Sequence, residues 1–140
     1  MSKIAIVYWS GTGNTKAMAD YIEAGAKEAG ADVNVFTSAE FSVDKVGEYT
    51  GLAFGCPSMG AEELEETEFE PLFSGCKDKL AGKKVALFGS YGWGDGEWMR
   101  TWQEDCEASG IMMACEPVIA NEAPGSEAEM ELKQLALALA

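Results

Sequence analysis

The feature that most constrains the fold of this chain is the alternation of short apolar runs with segments of helical periodicity. Five runs predict strands: Ile4–Trp9, Val33–Phe36, Leu52–Cys56, Val85–Gly89 and Ile111–Cys115, the last resuming at Val118. The stretch from Asp32 to Val35 alternates polar and apolar residues as an edge strand does, whereas the other runs are nearly continuous, as in parallel strands covered on both faces. Strands that alternate with helices predict an α/β fold, a doubly wound parallel sheet with helices on both faces.

Helical periodicity predicts the elements between these strands. The expected elements are a helix over Lys16–Ala29, a turn or short helix near Val43–Glu48, a helix after Thr67, a helix through Trp98–Cys106 and a helix from Ser126. The expected buried side chains are Met18, Ile22, Ala26, Trp98, Trp102, Cys106, Met130, Leu132, Leu135 and Leu139. Thr67 and Glu70 have the spacing of a capping box, and Pro71 is suited to the first turn of that helix. Ser126 and Glu129 have the same spacing.

Composition limits the classes of partner. With 140 residues, 47% of them apolar, the chain is long enough for a single domain over residues 1–140 with its own core. A formal charge of −14 disfavours nucleic acid and anionic membranes, and it favours basic patches on other proteins. The absence of histidine removes the usual general base and the commonest metal ligand. The N-terminal apolar run is too short to span a membrane and lacks a cleavage site, so a cytoplasmic location is expected.

The four cysteines are expected to be reduced packing residues. Cys56, Cys76, Cys106 and Cys115 are widely spaced and form no Cys-x-x-Cys pair. Such spacing does not predict a metal site, and no histidine is present to complete one. Cys56 and Cys115 fall in predicted strands, and Cys106 falls on a helical apolar stripe.

The loop after the first strand is predicted to bind an anion. It consists of Ser10, Gly11, Thr12, Gly13, Asn14 and Thr15. Its four polar side chains and the backbone N–H groups of the following helix can donate to phosphate oxygens, and its glycines allow close approach. An ordinary capped turn is the alternative interpretation, but a cap needs only one such side chain. The loop holds no lysine or arginine and matches neither the nucleoside-triphosphate nor the dinucleotide glycine pattern, which indicates a different phosphate compound.

Two further loops are predicted to lie at the same edge, because ligands of such sheets bind at the carboxyl ends of the strands. Trp93, flanked by glycines after the fourth strand, cannot be buried by its neighbours in the chain. Met59, in the loop after the third strand, could supply an apolar wall opposite it. Each residue alone is more often part of a protein core, but beside a phosphate loop the pair predicts a flat ring, and therefore a mononucleotide.

Three segments together carry a family resemblance, and they are Ser10–Thr15, Gly55–Gly60 and Leu87–Gly94. In these segments the chain resembles a flavodoxin, and the similarity runs essentially from end to end, to the short-chain clostridial type in particular. The resemblance implies a flavodoxin-like sheet of five parallel strands in the order 2-1-3-4-5 with FMN as cofactor; that order is carried over from the family rather than derived. Long-chain flavodoxins interrupt the fifth strand, and Ile111 to Ile119 leaves no room for that insertion.

The resemblance also implies roles for particular residues. The loop from Ser10 to Thr15 would bind the FMN phosphate, with Ser58 as a further contact. Trp93 would stack on the outer face of the flavin, Met59 would pack on its inner face, and Glu62 would accept a hydrogen bond from flavin N3–H. The other cofactor-binding candidates are Pro57, Gly60, Ser90, Tyr91, Gly92 and Gly94, and Asn121 is placed near the flavin edge or the ribityl chain.

The implied function is that of a low-potential one-electron carrier, not an enzyme, with FMN bound tightly but non-covalently. Its FMN would act mainly between the semiquinone and the hydroquinone. An acidic protein with no lysine or arginine in the three loops disfavours the anionic hydroquinone. In the family the Gly60–Ala61 peptide turns so that the Gly60 carbonyl accepts a hydrogen bond from the semiquinone. The expected partners are redox proteins with basic docking patches, of the ferredoxin type, and the expected state is a monomer. The six carboxylates from Glu62 to Glu70 are interpreted as a mostly solvated face that also suits docking.

Three other functions remain open from the sequence. An FMN-dependent reductase acting on NAD(P)H or quinones shares this fold, but the chain has no spare segment for a second substrate pocket. A phosphoacceptor signalling domain needs clustered acidic residues after the first strand, and Tyr8-Trp9-Ser10 supplies none. A module that binds some other phosphorylated ligand would be excluded by a yellow purified protein.

Overall fold

The structure is a computed structural model that describes residues 2–60 and 63–140, and its framework is a parallel sheet. The strands are β1 (Lys3–Tyr8), β2 (Asp32–Thr37), β3 (Gly51–Gly55), β4 (Lys84–Tyr91) and β5 (Val118–Asn121). Their order is β2-β1-β3-β4-β5, and every neighbouring pair is parallel. The predicted fold class and strand order are therefore confirmed.

Helices cover both faces of this sheet. They are α1 (Asn14–Glu28), α2 (Phe69–Cys76), α3 (Glu97–Ala108) and α4 (Ser126–Leu139), with 3₁₀ helices at Val43–Glu48 and Lys77–Lys79. Helices α1 and α4 pack together on one face, and α2 and α3 lie on the other. Among the described residues, no helix combines the length and the apolar character needed to cross a membrane.

The sheet separates two hydrophobic cores because alternate side chains of a strand point to opposite faces. Ile4 and Ile6 of β1 pack beneath α1 and α4, whereas Ala5 and Val7 face α2 and α3. All four side chains are fully buried. Such burial on both faces explains why a central strand is a continuous apolar run. Polar residues therefore gather at the edges of the sheet, where the strands end.

The predicted fifth strand over Ile111–Cys115 is wrong. In that stretch Met113 makes only a single parallel bridge to Val85, and the regular strand begins at Val118. Pro117 has no N–H to donate, so a continuous ladder from Ile111 to Asn121 is interrupted before Val118. The resumption at Val118 is the actual β5.

Two helix starts also differ from prediction. Neither Ser126 nor Glu129 caps α4, because Gly125 occupies the N-cap position and Ser126 is already the first helical residue. Helix α2 has no side-chain bond from its N-cap residue either, and a carboxylate farther upstream binds its first N–H groups instead. Pro71 does lie in the first turn of α2, as predicted.

The buried faces of the helices follow the predicted pattern with one exception. The predicted apolar residues of α1 and α3 are buried, as are Leu132, Leu135 and Leu139 of α4. Met130 is 63% exposed, so its predicted burial is wrong. Met130 lies two residues from Leu132, about 200° around the helix, which places it on the opposite face.

The cysteines are free thiols, and Cys56, Cys76 and Cys106 are buried while Cys115 is half-buried. Burial raises the pKa of Cys56 and of Cys106 to about 12, and that of Cys76 to about 11. Thiols held in this protonated form are poor nucleophiles and metal ligands, in agreement with a packing role.

Candidate functional site

A cavity of about 280 Å³ opens at the carboxyl edge of the sheet, over β1, β3 and β4. Its described lining comes from the loops that follow those strands, the end of β4 and the residue after β5, and consists of Trp9, Gly11, Thr12, Asn14, Pro57, Ser58, Met59, Ser90, Tyr91, Gly92 and Glu122. The winding of the chain reverses here, since β2 lies on one side of β1 and β3 on the other. This is the position at which open α/β sheets bind their ligands.

The structure brings many of the predicted site residues together, but not all. Those in the cavity lining are Gly11, Thr12, Asn14, Pro57, Ser58, Met59, Ser90, Tyr91 and Gly92. Ser10 and Gly13 line an adjoining cavity of about 270 Å³, and Gly60 lines a separate one of about 290 Å³ beside residues 63–67. Thr15 is buried under the loop.

Three other predicted residues lie elsewhere. Trp93 and Gly94 are outside the cavity lining, and the Trp93 indole is 61% exposed. Asn121 ends β5 and lines a cavity against the start of α4. Glu62 lies outside the described residues. The cofactor roles given to all these residues stay predictions.

The loop 10–15 leads into α1 with a helix start that no side chain caps. Gly13, the N-cap residue, has φ +96°, a left-handed conformation that glycine adopts without strain. Its N–H donates to Ser10 Oγ at 3.0 Å, and the Asn14 N–H makes a long 3.5 Å contact with Thr12 Oγ1. No acidic residue lies in the first turn. The positive end of the helix dipole therefore faces the loop without a protein anion to neutralise it.

A buried hydroxyl pair joins this loop to the fourth strand. The distance from Thr15 Oγ1 to Ser90 Oγ is 2.8 Å, and the two residues are 1% and 4% exposed. Either hydroxyl can donate to the other. The pair fixes the start of α1 against the end of β4, so two walls of the cavity are held in one register.

The loop after β3 is held against β4 by backbone hydrogen bonds. The Cys56 N–H donates to the Phe88 carbonyl at 3.1 Å, and the Ser58 N–H donates to the Ser90 carbonyl at 2.9 Å. The Trp98 indole N–H donates to the Cys56 carbonyl at 3.1 Å. Between these bonds lies Gly89, where an added Cβ would stand 2.2 Å from the Cys56 oxygen. The close approach of the two segments therefore requires a residue without a side chain.

Glu65 closes the far end of the same loop. Its buried carboxylate accepts hydrogen bonds from the backbone N–H groups of Thr67, Glu68 and Phe69 at 2.7 to 2.9 Å, and from the Thr67 hydroxyl. Burial alone would raise the pKa of this carboxyl, but those hydrogen bonds outweigh burial and lower the pKa to about 2. The Glu65 N–H also donates to Cys56 Sγ at 3.3 Å. Glu65 is thus the exception to the mostly solvated face, and its carboxylate rather than Thr67 and Glu70 caps α2.

Two lining residues were missed by the sequence reasoning. Trp9 follows β1, and its ring lies 3.2 Å from the position of a Cβ on Gly11, so it packs against the loop 10–15 and lines both adjoining cavities. An aromatic residue at the end of a strand, directly before the loop, could have indicated this. Glu122 follows β5, and nothing in the local pattern marked it.

The described walls of the cavity carry almost no charge. Among the described lining residues there is no lysine or arginine, and Glu122 is the single carboxylate. Lys16 lines the adjoining cavity, where its ammonium lies 3.2 Å from Asp20 Oδ2. The site thus combines neutral hydrogen-bond donors and an uncapped helix start with apolar walls from Trp9, Met59 and Tyr91. Such a donor set fits a ligand with an anionic end and a flat apolar body.

This arrangement defines an α/β protein with a mononucleotide-type site at its switch point. The flavodoxin family model matches residues 6–134. Flavodoxins of Megasphaera elsdenii and Clostridium beijerinckii are 49% and 48% identical over 126 residues, which is 90% of this chain and 91% of each relative. The solution structure of two-electron reduced Megasphaera elsdenii flavodoxin superposes with a TM-score of 0.88 over 98% of this chain and 99% of that one, at 49% identity.

The chain therefore belongs to the flavodoxin family. Flavodoxins are FMN-binding electron carriers, and the cofactor of this chain is FMN. The uncapped start of α1 and the hydroxyls of the loop 10–15 suit its phosphate, and the apolar walls suit its ring. FMN supplies the one-electron redox chemistry; the protein binds it, orients it and sets the charge around it.

Proposed function

We propose that the chain is a low-potential one-electron carrier that holds FMN tightly and non-covalently and is not itself an enzyme. In this proposal FMN acts mainly between its one-electron-reduced and fully reduced states. The main support is the charge of the site, since the described lining of the cavity has no cation to offset the negative charge that full reduction adds. The chain would act as a single unit over residues 1–140, as a cytoplasmic monomer.

We assign the phosphate to the loop 10–15 and Ser58, and the ring to the space between the loops 57–60 and 90–94. Met59 would contact one face of the ring and Trp93 the other. The Trp93 side chain is exposed and glycines flank it on both sides, which leaves its segment free to adjust toward the ring. Glu62 would accept from N3–H.

The experiment that tests this proposal is a dithionite titration of the FMN-loaded protein under argon, followed by visible absorbance. A stable blue one-electron-reduced form between the yellow and bleached forms is the expected result. Direct bleaching without it would indicate a two-electron reductase instead, as would fast oxidation of NADPH by the pure protein. A protein that binds no FMN would contradict the assignment of all three loops.

Gly60 is expected to stabilise the one-electron-reduced form by letting the 60–61 peptide turn, so that the Gly60 carbonyl accepts a hydrogen bond from protonated N5. Gly60 has φ +53°, and an added Cβ would meet no atom within 4 Å. Gly60→Ala would therefore act through backbone torsion rather than through a clash. A hydrogen bond worth about 1 kcal/mol corresponds to roughly 40 mV in the first reduction potential, and the variant should lower that potential by up to this amount.

Gly82→Ala is the matched control for this variant. Gly82 has φ +80° and equally open surroundings, but it lies in the turn before β4, at the opposite end of the sheet from the cavity. Both variants carry the same kind of strain, and only Gly60→Ala should change the yield of the one-electron-reduced form. Equal yields in the two variants would remove the peptide-turn account.

Electron transfer to a basic partner is expected to slow as salt is added. The exposed carboxylates of Glu63, Glu66 and Glu70 lie next to the loop that carries Met59, where they can steer a positively charged protein. Stopped-flow rates to a basic c-type haem protein should fall about tenfold between about 0.01 M and about 0.5 M ionic strength. The rate to a small neutral quinone serves as the reference and should stay flat. A flat rate with the haem protein would refute steering.

A further inference from the structure

Glu122 adopts a backbone conformation that is costly for its residue type. Its φ is +59°, and it is the single non-glycine residue with positive φ in the described parts of the chain. The Glu122 N–H donates to the Tyr91 carbonyl at 2.8 Å, one step beyond the pairing of Tyr91 with Asn121. Glycine or asparagine would adopt this conformation at lower cost. Strain that persists at a binding cavity points to a use for the side chain.

Packing and pairing within the protein do not account for this side chain. Glu122 is exposed, and it makes no ion pair or side-chain hydrogen bond with residues 2–60 or 63–140. It does line the cavity shared by the loops 10–15, 57–60 and 90–94, where it is the single carboxylate of the described lining and no lysine or arginine accompanies it. Glu122 therefore borders whatever occupies the cavity, and no protein cation in the described lining offsets its charge.

We propose that Glu122 sets how strongly the site discriminates against fully reduced FMN relative to oxidised FMN. This inference rests on the proposed function. Full reduction at neutral pH adds negative charge to the flavin, and a carboxylate in the same cavity repels that added charge. The repulsion acts near low-dielectric walls and is less screened than between charges in open solvent. Oxidised FMN has a neutral ring, so Glu122 weakens the binding of the reduced form more than that of the oxidised form.

Glu122→Gln tests the inference, because it removes the charge and preserves the length of the side chain and the backbone strain. The affinity for fully reduced FMN relative to oxidised FMN should rise about threefold to tenfold, the effect of one unit charge across a cavity of this size. The ratio follows from the dissociation constant of oxidised FMN, measured by fluorescence quenching, and from the reduction potentials of bound and free FMN. Glu104→Gln is the control, since it changes the net charge equally at an exposed position of α3. Equal ratios in the two variants would overturn the inference.

Glu122→Gly separates charge from strain. It should give the same shift in the ratio as Glu122→Gln, and it should also raise the urea midpoint of the apoprotein because glycine adopts the left-handed conformation freely. A shift in the ratio with Glu122→Gly alone would assign the effect to the backbone and overturn the role of the carboxylate. If wild-type protein binds no FMN or forms no one-electron-reduced state, the proposed function fails. If wild type behaves as proposed and Glu122→Gln matches Glu104→Gln, the role of Glu122 alone fails.

Discussion

Gly89→Ala is expected to destabilise the protein by about 3 kcal/mol and to weaken FMN binding at least tenfold. The added Cβ would lie 2.2 Å from the Cys56 oxygen and 3.1 Å from Trp98 Cζ2, so neither a rotamer change nor a flexible side chain can relieve the clash. The segment after β3 must move away from β4, which strains the hydrogen bond from Ser58 to Ser90 and the one from Trp98 to Cys56. Urea unfolding of the apoprotein and FMN fluorescence titration measure the two effects.

Gly47→Ala is the control for this substitution. Gly47 lies in the 3₁₀ helix Val43–Glu48, has no atom within 4 Å of an added Cβ and does not have a left-handed φ. Its alanine variant should unfold within about 0.5 kcal/mol of wild type. If Gly89→Ala shows the same midpoint as Gly47→Ala, the close approach of the two segments is not a requirement of the fold.

Glu65→Gln is expected to cost about 2 kcal/mol and to lower FMN affinity several-fold. Each carboxylate oxygen of Glu65 accepts two hydrogen bonds, so an amide would turn its NH₂ group toward two donors. The loop that carries Met59 and Gly60 begins at Cys56, whose sulfur accepts from the Glu65 N–H, so loss of this cap loosens one wall of the cavity. Glu66→Gln removes a charge at the neighbouring exposed position and is expected to leave both quantities near wild type.

Because of the lowered pKa of Glu65, wild type and Glu65→Gln are expected to differ in stability at acid pH. The pKa of Glu65 is lowered from 4.5 to about 2 in the folded protein, so its stabilising contribution is complete above about pH 4.5 and is lost as the pH falls toward 2. Wild type and Glu66→Gln should therefore lose more stability than Glu65→Gln over that interval, and the curves should converge at its acid end. Parallel curves from pH 7 to pH 2 would show that Glu65 has the same pKa in the folded and unfolded states.

The framework of the fold could be predicted because burial on both faces leaves a clear mark on a strand. The run through Ile4 to Val7 is apolar at every position, and the glycine-rich turn that follows it ends the strand. The edge is different. Ile111–Cys115 is apolar enough for a strand, but a single residue without an N–H, Pro117, decides where the ladder of β5 begins.

Helix starts were less predictable than helix faces, since the faces follow a period and the starts depend on single hydrogen bonds. Thr67 and Glu70 have suitable spacing, but Glu65 reaches the same N–H groups from a buried position. The sequence shows six carboxylates in a row of nine residues and does not distinguish the buried one from its exposed neighbours.

In the candidate site, too, features with a local sequence pattern could be predicted and features that depend on the tertiary structure could not. The position of the loop 10–15 beside the cavity could be predicted because glycines and hydroxyl side chains at a strand–helix junction are typical of anion-binding helix starts. Glu122 was missed because its relevance depends on a left-handed backbone and on the position of β5 beside β4, neither of which a local pattern encodes.

The two sides of the cavity differ in how they are built. On one side Ser90 and Tyr91 belong to β4, which continues past the end of β3 and remains paired there with β5. On the other side Pro57 and Ser58 belong to no strand or helix, Met59 makes an isolated bridge to Glu63, and Gly60 lies in a turn. One wall of the cavity therefore belongs to the regular sheet, and the other is an irregular segment held by individual hydrogen bonds. We expect the irregular wall to take up any adjustment to the redox state of the cofactor, so amide hydrogen exchange should change at residues 58–60 on reduction while the end of β4 stays protected.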